Sequence, residues 1–198
     1  MQKRKPTGYN EHSMNLFTLP PQKVEVVLLV VLLAAAVFDV RYRRTPNWLT
    51  VGGVVLGLVM NTVIGPPLAG IGFALAGLGV AFGVYVALYA LHAMGAGDVK
   101  LMAAVGALVG WERWFGIFFV TALIGGVMAF ILVVSRGRLK RTLFNVGFIL
   151  SELKSLRPAY LAREELDVKN KKALGLPHGA VIAVSAVFYL ALCRPLTP

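Results

Sequence analysis

Two aspartates stand out because each lies where a polar stretch meets an apolar one. Asp39 follows the apolar run 26–38, and Asp98 opens the largely apolar run 99–111. A carboxylate within a membrane-spanning segment costs about 2.5–3.5 kcal/mol on insertion scales, so such residues are candidates for function. Two carboxyls close together in low dielectric share one proton and can hydrolyse a peptide bond by acid–base catalysis. We therefore predict a catalytic pair that needs neither a metal nor another cofactor.

Helical spacing predicts that the two carboxyls lie at the same depth. Glu25 marks the far end of the run before Asp39, and Glu112 marks the far end of the run after Asp98. Each aspartate is 14 residues from its marker, which is about 21 Å along a helix. If both markers lie at the outer interface of a hydrocarbon core about 30 Å thick, both aspartates lie about 9 Å inside the opposite face.

Helix polarity predicts which carboxyl holds the shared proton. Asp98 begins a helix, where the dipole favours negative charge, whereas Asp39 ends one, where the dipole disfavours it. We therefore expect the proton on Asp39. Each residue also has a structural interpretation: Asp39 could pair with a nearby arginine, and Asp98 could cap a helix or pair with Lys100.

Two glycines, Gly95 and Gly97, precede Asp98 directly. Glycine permits left-handed backbone and the close approach of another chain. A protease needs such an approach, because an extended substrate must lie beside the catalytic group. Irregular backbone within a membrane is tolerated where it is buried in protein or lines water.

The elements that must position these residues are apolar helices. Of 198 residues, 58% are apolar and 15% are charged, and the mean hydropathy is +0.74. Those values exclude an ordinary soluble domain and a disordered chain. The single cysteine, Cys193, excludes an internal disulfide and a cysteine-based zinc site. Gly79 and Gly83 are spaced for close helix packing. We predict an all-α membrane protein with about six transmembrane helices, at 24–39, 48–65, 68–92, 98–111, 114–134 and 178–194.

Charge distribution predicts the topology. Residues 1–23 are expected to form a flexible polar tail, and 24–198 a single membrane domain with a basic loop at 135–177. An amphipathic helix at 139–153 in this loop would lie among lipid headgroups. Most of the 20 Lys and Arg residues lie on the same side as this loop. That side should therefore be cytosolic, with both termini outside, and the basic loops should bind anionic lipids rather than nucleic acid.

Two motifs carry a resemblance to a known family. Residues 95–101, GAGDVKL, followed by AAVG at 103–106, resemble the second catalytic motif of the type IV prepilin peptidases, which are intramembrane aspartyl proteases of the GxGD class. Residues 38–47, FDVRYRRTPN, are similar to the first motif, in which basic residues and a Pro-Asn pair follow an aspartate. The turn 176–180, LPHGA, resembles the entry to the family's last span. The resemblance covers about 24–194.

This resemblance implies cleavage of the short basic leader from prepilins or pseudopilins, at the cytosolic face of the bacterial inner membrane. Asp39 and Asp98 would be the catalytic pair. Pro46 and Asn47 would end the first loop and cap the second span, a role that suits Asn. The residues that would shape the site are Gly95, Gly97, Lys100, Pro46 and Asn47.

The chain also departs from the family pattern. It lacks the paired cysteines of the zinc-binding insert that many members carry, so methyltransferase activity is not expected. Its small size is similar to the tight-adherence, or Flp-type, branch. Thr45 replaces the usual aliphatic residue before the proline, and His178 replaces an aromatic residue. The alternatives are a small ion- or proton-coupled transporter, in which Asp39 and Asp98 form an ion site, and a membrane subunit with a purely structural role.

Overall fold

A computed structural model describes residues 19–91, 94–137 and 177–194, and all regular structure in these ranges is helical. The five helices are α1 (Gln22–Tyr42), α2 (Asn47–Ile64), α3 (Pro67–Ala90), α4 (Ala96–Ser135) and α5 (His178–Cys193). By length and composition, α2, α3 and α4 can each cross a membrane. The prediction of a helical membrane protein is thus confirmed.

The prediction of about six spans is not confirmed. The predicted segments 98–111 and 114–134 form a single helix, α4, of 40 residues. The described part of the chain contains three helices that meet the length and composition of a span, and α5 is shorter, with 16 residues. The predicted amphipathic helix at 139–153 and most of the predicted tail lie outside the described residues.

Prolines set the beginnings of the helices. Pro21, Pro46, Pro66 and Pro177 directly precede α1, α2, α3 and α5. Proline suits this position because its φ is fixed and no intrahelical N–H is required there. At the other end of α1, Arg43 takes a left-handed conformation with φ 50°, and its N–H donates to the Asp39 carbonyl at 2.8 Å. This turn leads the chain from α1 into the 44–46 loop.

The first half of α4 forms the centre of the bundle. Every residue from 101 to 110 is buried, and the helix contacts α1, α2, α3 and α5. A segment that is apolar on all sides suits this position, because it has no polar face to present to water. Asp98, near the beginning of this central helix, is therefore held by packing on several sides.

A break at Gly110 separates the two halves of α4. Gly110 has φ 78° and ψ 169°, a conformation that glycine adopts far more readily than other residues. The Nδ2 atom of Asn61 on α2 donates to the carbonyls of Ala107 and Leu108, at 3.0 and 3.1 Å. Those carbonyls would otherwise lose their helical partners at the break. Asn61 therefore acts as a side-chain cap for the first half of α4.

Close helix contacts depend on Gly57, Gly77 and Gly106 rather than on the pair Gly79 and Gly83. A Cβ on Gly57 would lie 2.7 Å from the Ala107 carbonyl carbon, and Cβ atoms on Gly77 and Gly106 would overlap each other's carbonyl groups. By contrast, a Cβ on Gly79 or Gly83 would meet no atom within 4 Å. The prediction that Gly79 and Gly83 pack a helix is wrong, since both face away from the bundle.

The two marker residues lie at a common end of the bundle. Glu25 is buried on α1 and accepts a hydrogen bond from the Arg194 guanidinium, just beyond α5, at 3.0 Å. Arg113, which follows Glu112, interacts electrostatically with Tyr189 and Cys193 in the last turns of α5. Both markers therefore adjoin the same end of α5, as the depth argument requires.

Candidate active site

Asp39 and Asp98 line a single open cavity of about 460 Å³. It lies where the end of α1, the loop into α2 and the beginnings of α4 and α5 meet. The two carboxyls are close enough to interact electrostatically. The remaining lining residues are Arg43, Arg44, Thr45, Asn47, Gly95, Ala96, Gly97, Lys100, Pro177 and His178. Of the predicted site residues, Pro46 alone is not part of this lining.

Asp39 is oriented by the first turn of α5. It is half-buried, and its Oδ2 accepts a hydrogen bond of 2.7 Å from the N–H of Gly179. A Cβ on Gly179 would lie 3.0 Å from Oδ2 and 3.3 Å from the Asp39 Cγ, which is closer than side chains normally approach. A side chain at this position would therefore require Asp39 to shift by a few tenths of an ångström. Gly179 was not among the predicted site residues, although the LPHGA turn that contains it was recognised.

Asp98 is oriented by the beginning of its own helix. Gly95 precedes α4, and its N–H donates to the Oδ2 of Asp98 at 3.2 Å. This bond is the part of a capping box in which the third helical residue reaches back to the residue before the helix. Asp98 is therefore the third residue of α4 and not the residue that precedes the helix. Lys100 does not pair with it, because the Lys100 Nζ binds Asn47 instead.

The argument from helix polarity no longer distinguishes the two carboxyls. Asp39 lies near the end of α1, but its Oδ2 binds the N–H of Gly179, the second residue of α5. Asp98 binds an N–H at the beginning of α4. Each carboxyl thus faces the positive end of a helix dipole. The expectation that Asp39 holds the proton has lost its stated basis.

Asn47 does not cap α2, so this prediction is wrong. Pro46 occupies the capping position with extended backbone, and Asn47 is the first residue within the helix. The Asn47 Oδ1 instead accepts a hydrogen bond of 2.9 Å from the Lys100 Nζ. The pair joins α2 to α4 at the edge of the cavity, and it engages the lysine that the sequence suggested as a partner for Asp98.

Gly97 permits close approach rather than unusual backbone. A Cβ at this position would lie 3.2 Å from the Thr45 Oγ1. Within the described ranges, the glycines with positive φ are Gly110 and Gly137, so neither Gly95 nor Gly97 is left-handed. The glycine before Asp98 therefore lets the loop from α1 close over the beginning of α4.

The charged side chains that line the cavity beside the two carboxyls are basic, but they form no ion pair with Asp39 or Asp98 within the described residues. Arg43, Arg44 and Lys100 line the cavity. Among the described residues, neither aspartate forms an ion pair, so the structural pairing of Asp39 with a nearby arginine is not observed. No group of three or more His, Cys, Asp and Glu side chains in the described ranges is arranged to hold a metal ion.

An apolar groove of about 420 Å³ adjoins the cavity and shares Asn47 and Lys100 with it. The other residues of the groove are Thr50, Val51, Val54, Val55, Leu78, Phe82 and Ala103. The Asn47–Lys100 hydrogen bond therefore lies where the lining changes from polar to apolar. A peptide with both polar and apolar segments would match this change.

Comparison with known proteins adds an independent finding. The sequence model of the type IV leader peptidase family matches residues 26–130, a segment that contains both aspartates. The chain is similar to a prepilin leader peptidase/N-methyltransferase of Xanthomonas campestris pv. campestris, with 30% identity over 127 residues, 62% of this chain and 44% of the relative. It is also similar to a prepilin leader peptidase/N-methyltransferase of Neisseria gonorrhoeae, with 33% identity over 118 residues, 57% of this chain and 41% of the relative. The chain thus spans less than half the length of these relatives, and no solved structure matches it.

Proposed function

Because the chain belongs to the type IV leader peptidase family, we propose that it is an intramembrane aspartic endopeptidase that removes the leader from prepilins or pseudopilins. Asp39 and Asp98 form its catalytic pair. The observation that carries this proposal is their arrangement: two carboxyls from different helices line one cavity, and a backbone N–H holds one oxygen of each.

The arrangement suits general acid–base hydrolysis. One carboxylate takes a proton from a water molecule, and the water oxygen attacks the peptide carbonyl carbon while the other carboxyl gives its proton to the carbonyl oxygen. When the C–N bond breaks, the first carboxyl gives its proton to the leaving amine, and the second carboxyl takes back a proton from a hydroxyl of the tetrahedral carbon. The products are an amine and a carboxylic acid, and both aspartates are back in their starting states. The backbone donors fix the carboxyl orientations before substrate arrives, which lowers the entropic part of the barrier.

The lining leaves space for a substrate backbone beside the carboxyls. Gly95 and Gly97 contribute no side chains to the lining, so an extended peptide can approach closely. The apolar groove beyond Asn47 and Lys100 would accept the apolar segment that follows a leader. A transporter with the two aspartates as an ion site is not favoured, because the family to which the chain belongs is one of peptidases.

The proposal also covers the orientation of the protein in the membrane and the class of its substrates. Arg41, Arg43, Arg44 and Lys100 lie at the end of the bundle that contains the cavity. Because the positive-inside rule favours basic residues on the cytosolic side, we propose that the cavity lies near the cytosolic face of the bacterial inner membrane. These basic residues would bind anionic headgroups there. We propose Flp-type prepilins as the substrate class, following the resemblance noted in the sequence. The methyltransferase activity in the relatives' names is not part of this proposal.

The test is co-expression with an Flp-type prepilin, with the mass of the pilin as the readout. The wild-type chain should yield a shortened product, while Asp39→Asn and Asp98→Asn should each reduce cleavage by about 10²–10⁴-fold, since each removes an acid–base group. Glu112→Gln is the matched control, because it neutralises a carboxylate just after the Gly110 break in α4, at the opposite end of the bundle from the cavity, and should leave cleavage intact. Normal cleavage by either aspartate variant would refute the pair, and uptake of an ion without cleavage would support a transporter.

A further inference from the structure

The first turn of α5 adjoins both carboxyls, and one side chain in it has no assigned role. His178 is the first residue of α5 and lines the cavity with Asp39 and Asp98. Its Nε2 is buried and has no hydrogen-bond partner. Buried polar atoms in folded proteins nearly always have partners, so an atom without one calls for an explanation.

The position of His178 relative to Asp98 supplies this explanation. The imidazole lies within electrostatic range of the Asp98 carboxyl. The next residue along the chain, Gly179, already donates its N–H to Asp39. Two consecutive residues of one helical turn therefore lie near the two members of the carboxyl pair, Gly179 beside Asp39 and His178 within electrostatic range of Asp98.

We propose that His178 is a positioning residue that hydrogen-bonds the Asp98 carboxyl through Nε2, directly or through one water, so that the first turn of α5 fixes the separation of the two aspartates. This inference rests on the proposed peptidase function. A shared turn is an effective spacer, because the backbone of a helix hardly changes the distance between adjacent residues. A bridging water would serve nearly as well as a direct bond.

Other groups around Asp98 are less suited to this role. Lys100 is engaged by Asn47, and the two arginines of the cavity belong to the loop after α1. The Tyr85 hydroxyl is buried without a partner and lies within electrostatic range of Asp98, but Tyr85 is not part of the cavity lining. Tyr85→Phe is thus a matched control that removes a buried polar atom near the same carboxyl.

The experiment compares His178→Phe, which removes the polar atoms but keeps a ring, with His178→Gln, which keeps an amide N–H close to the position of Nε2. In prepilin cleavage by the intact membrane protein, His178→Phe should lower kcat by about 10- to 100-fold and leave KM within about twofold, as for an interaction that acts on the reacting groups. His178→Gln should recover most of the lost kcat. Tyr85→Phe should change kcat by less than about threefold.

Wild-type kcat in His178→Phe, or equal losses in His178→Phe and His178→Gln, would overturn the inference. A larger loss in Tyr85→Phe than in His178→Phe would also overturn it. A second arm of the experiment, the infrared arm, does not depend on activity. It measures the frequency of the Asp98 carboxyl band, which is identified because Asp98→Asn removes it. The band should shift in His178→Phe and stay near its wild-type position in His178→Gln. If the wild-type chain cuts no prepilin, the proposed function fails, and this infrared arm alone decides the inference.

Discussion

Gly179→Ala tests whether the backbone of α5 orients a catalytic carboxyl. A Cβ at this position would lie 3.0 Å from the Asp39 Oδ2, 3.2 Å from its Cβ and 3.3 Å from its Cγ. Because all three contacts are to one side chain, relief requires Asp39 to move by a few tenths of an ångström. Movement away from α5 lengthens the 2.7 Å hydrogen bond from the Gly179 N–H.

The size of the effect follows from that bond. A hydrogen bond to a charged group contributes about 1.5–3 kcal/mol, and each 1.4 kcal/mol is a factor of ten in rate. Loss of the bond should lower kcat by about 10- to 150-fold, and a weakened bond should lie at the lower end of this range. KM should change little, because Gly179 is buried and is not part of the cavity lining beside which the substrate would lie.

A measurement of thermal stability distinguishes this effect on kcat from a loss of folded protein. Alanine is a better helix former than glycine by up to about 1 kcal/mol, so Gly179→Ala should not lower the unfolding temperature greatly. The matched control is Gly52→Ala on α2, where a Cβ would meet no atom within 4 Å. Steady-state cleavage of a prepilin and thermal unfolding in detergent are the two measurements. Wild-type kcat in Gly179→Ala would refute the assignment of the α5 backbone to the orientation of Asp39.

Two further predictions concern the scaffold, and thermal unfolding in detergent is the readout for both. Asn61→Leu should destabilise the chain by about 2–4 kcal/mol, because two carbonyls at the α4 break lose their donor. The control, Thr62→Val, removes a hydrogen bond within α2 alone and should cost less than about 1 kcal/mol. Equal effects of the two changes would contradict the capping role. Gly77→Ala should lower the free energy of unfolding by about 1–3 kcal/mol, because its methyl group would overlap a backbone carbonyl of α4. Gly79→Ala should be neutral or stabilising, since a Cβ there meets no atom within 4 Å. A larger loss of stability in Gly79→Ala than in Gly77→Ala would contradict the close contact between α3 and α4.

The apolar runs of the sequence predict most helix bounds because prolines and charged residues interrupt them. The predicted segments 24–39, 48–65 and 68–92 correspond to α1, α2 and α3 within a few residues. The predicted boundary between 98–111 and 114–134 lies close to the observed one, because the helical backbone of α4 is interrupted at Gly110. Glu112 and Arg113, which suggested a loop, lie within α4 just after this break, and the Arg113 guanidinium donates to the Val109 carbonyl at 3.4 Å.

The site could be predicted only as far as local spacing reaches. The distance of each aspartate from its marker is a property of one helix, and the common depth that it predicts agrees with a cavity lined by both Asp39 and Asp98. The contact between Gly179 and Asp39 joins residues 140 positions apart, and it depends on how α5 packs against α1. Likewise, Asn47 has the side chain of a good cap, but the lysine of a different helix binds it.

The environment of Asp39 shows why helix polarity failed as a local argument. A residue near the end of its own helix is expected to meet negative dipole charge, yet the tertiary packing brings the beginning of α5 to the same carboxyl. Asp39 and Asp98 thereby share one feature, a backbone donor at the beginning of a helix. In the proposed mechanism one carboxyl gains a proton while the other loses one, and both changes are reversed before the turnover ends. Because each carboxylate has a backbone donor that favours its ionised form, the dipole of its own helix does not confine either residue to a single role.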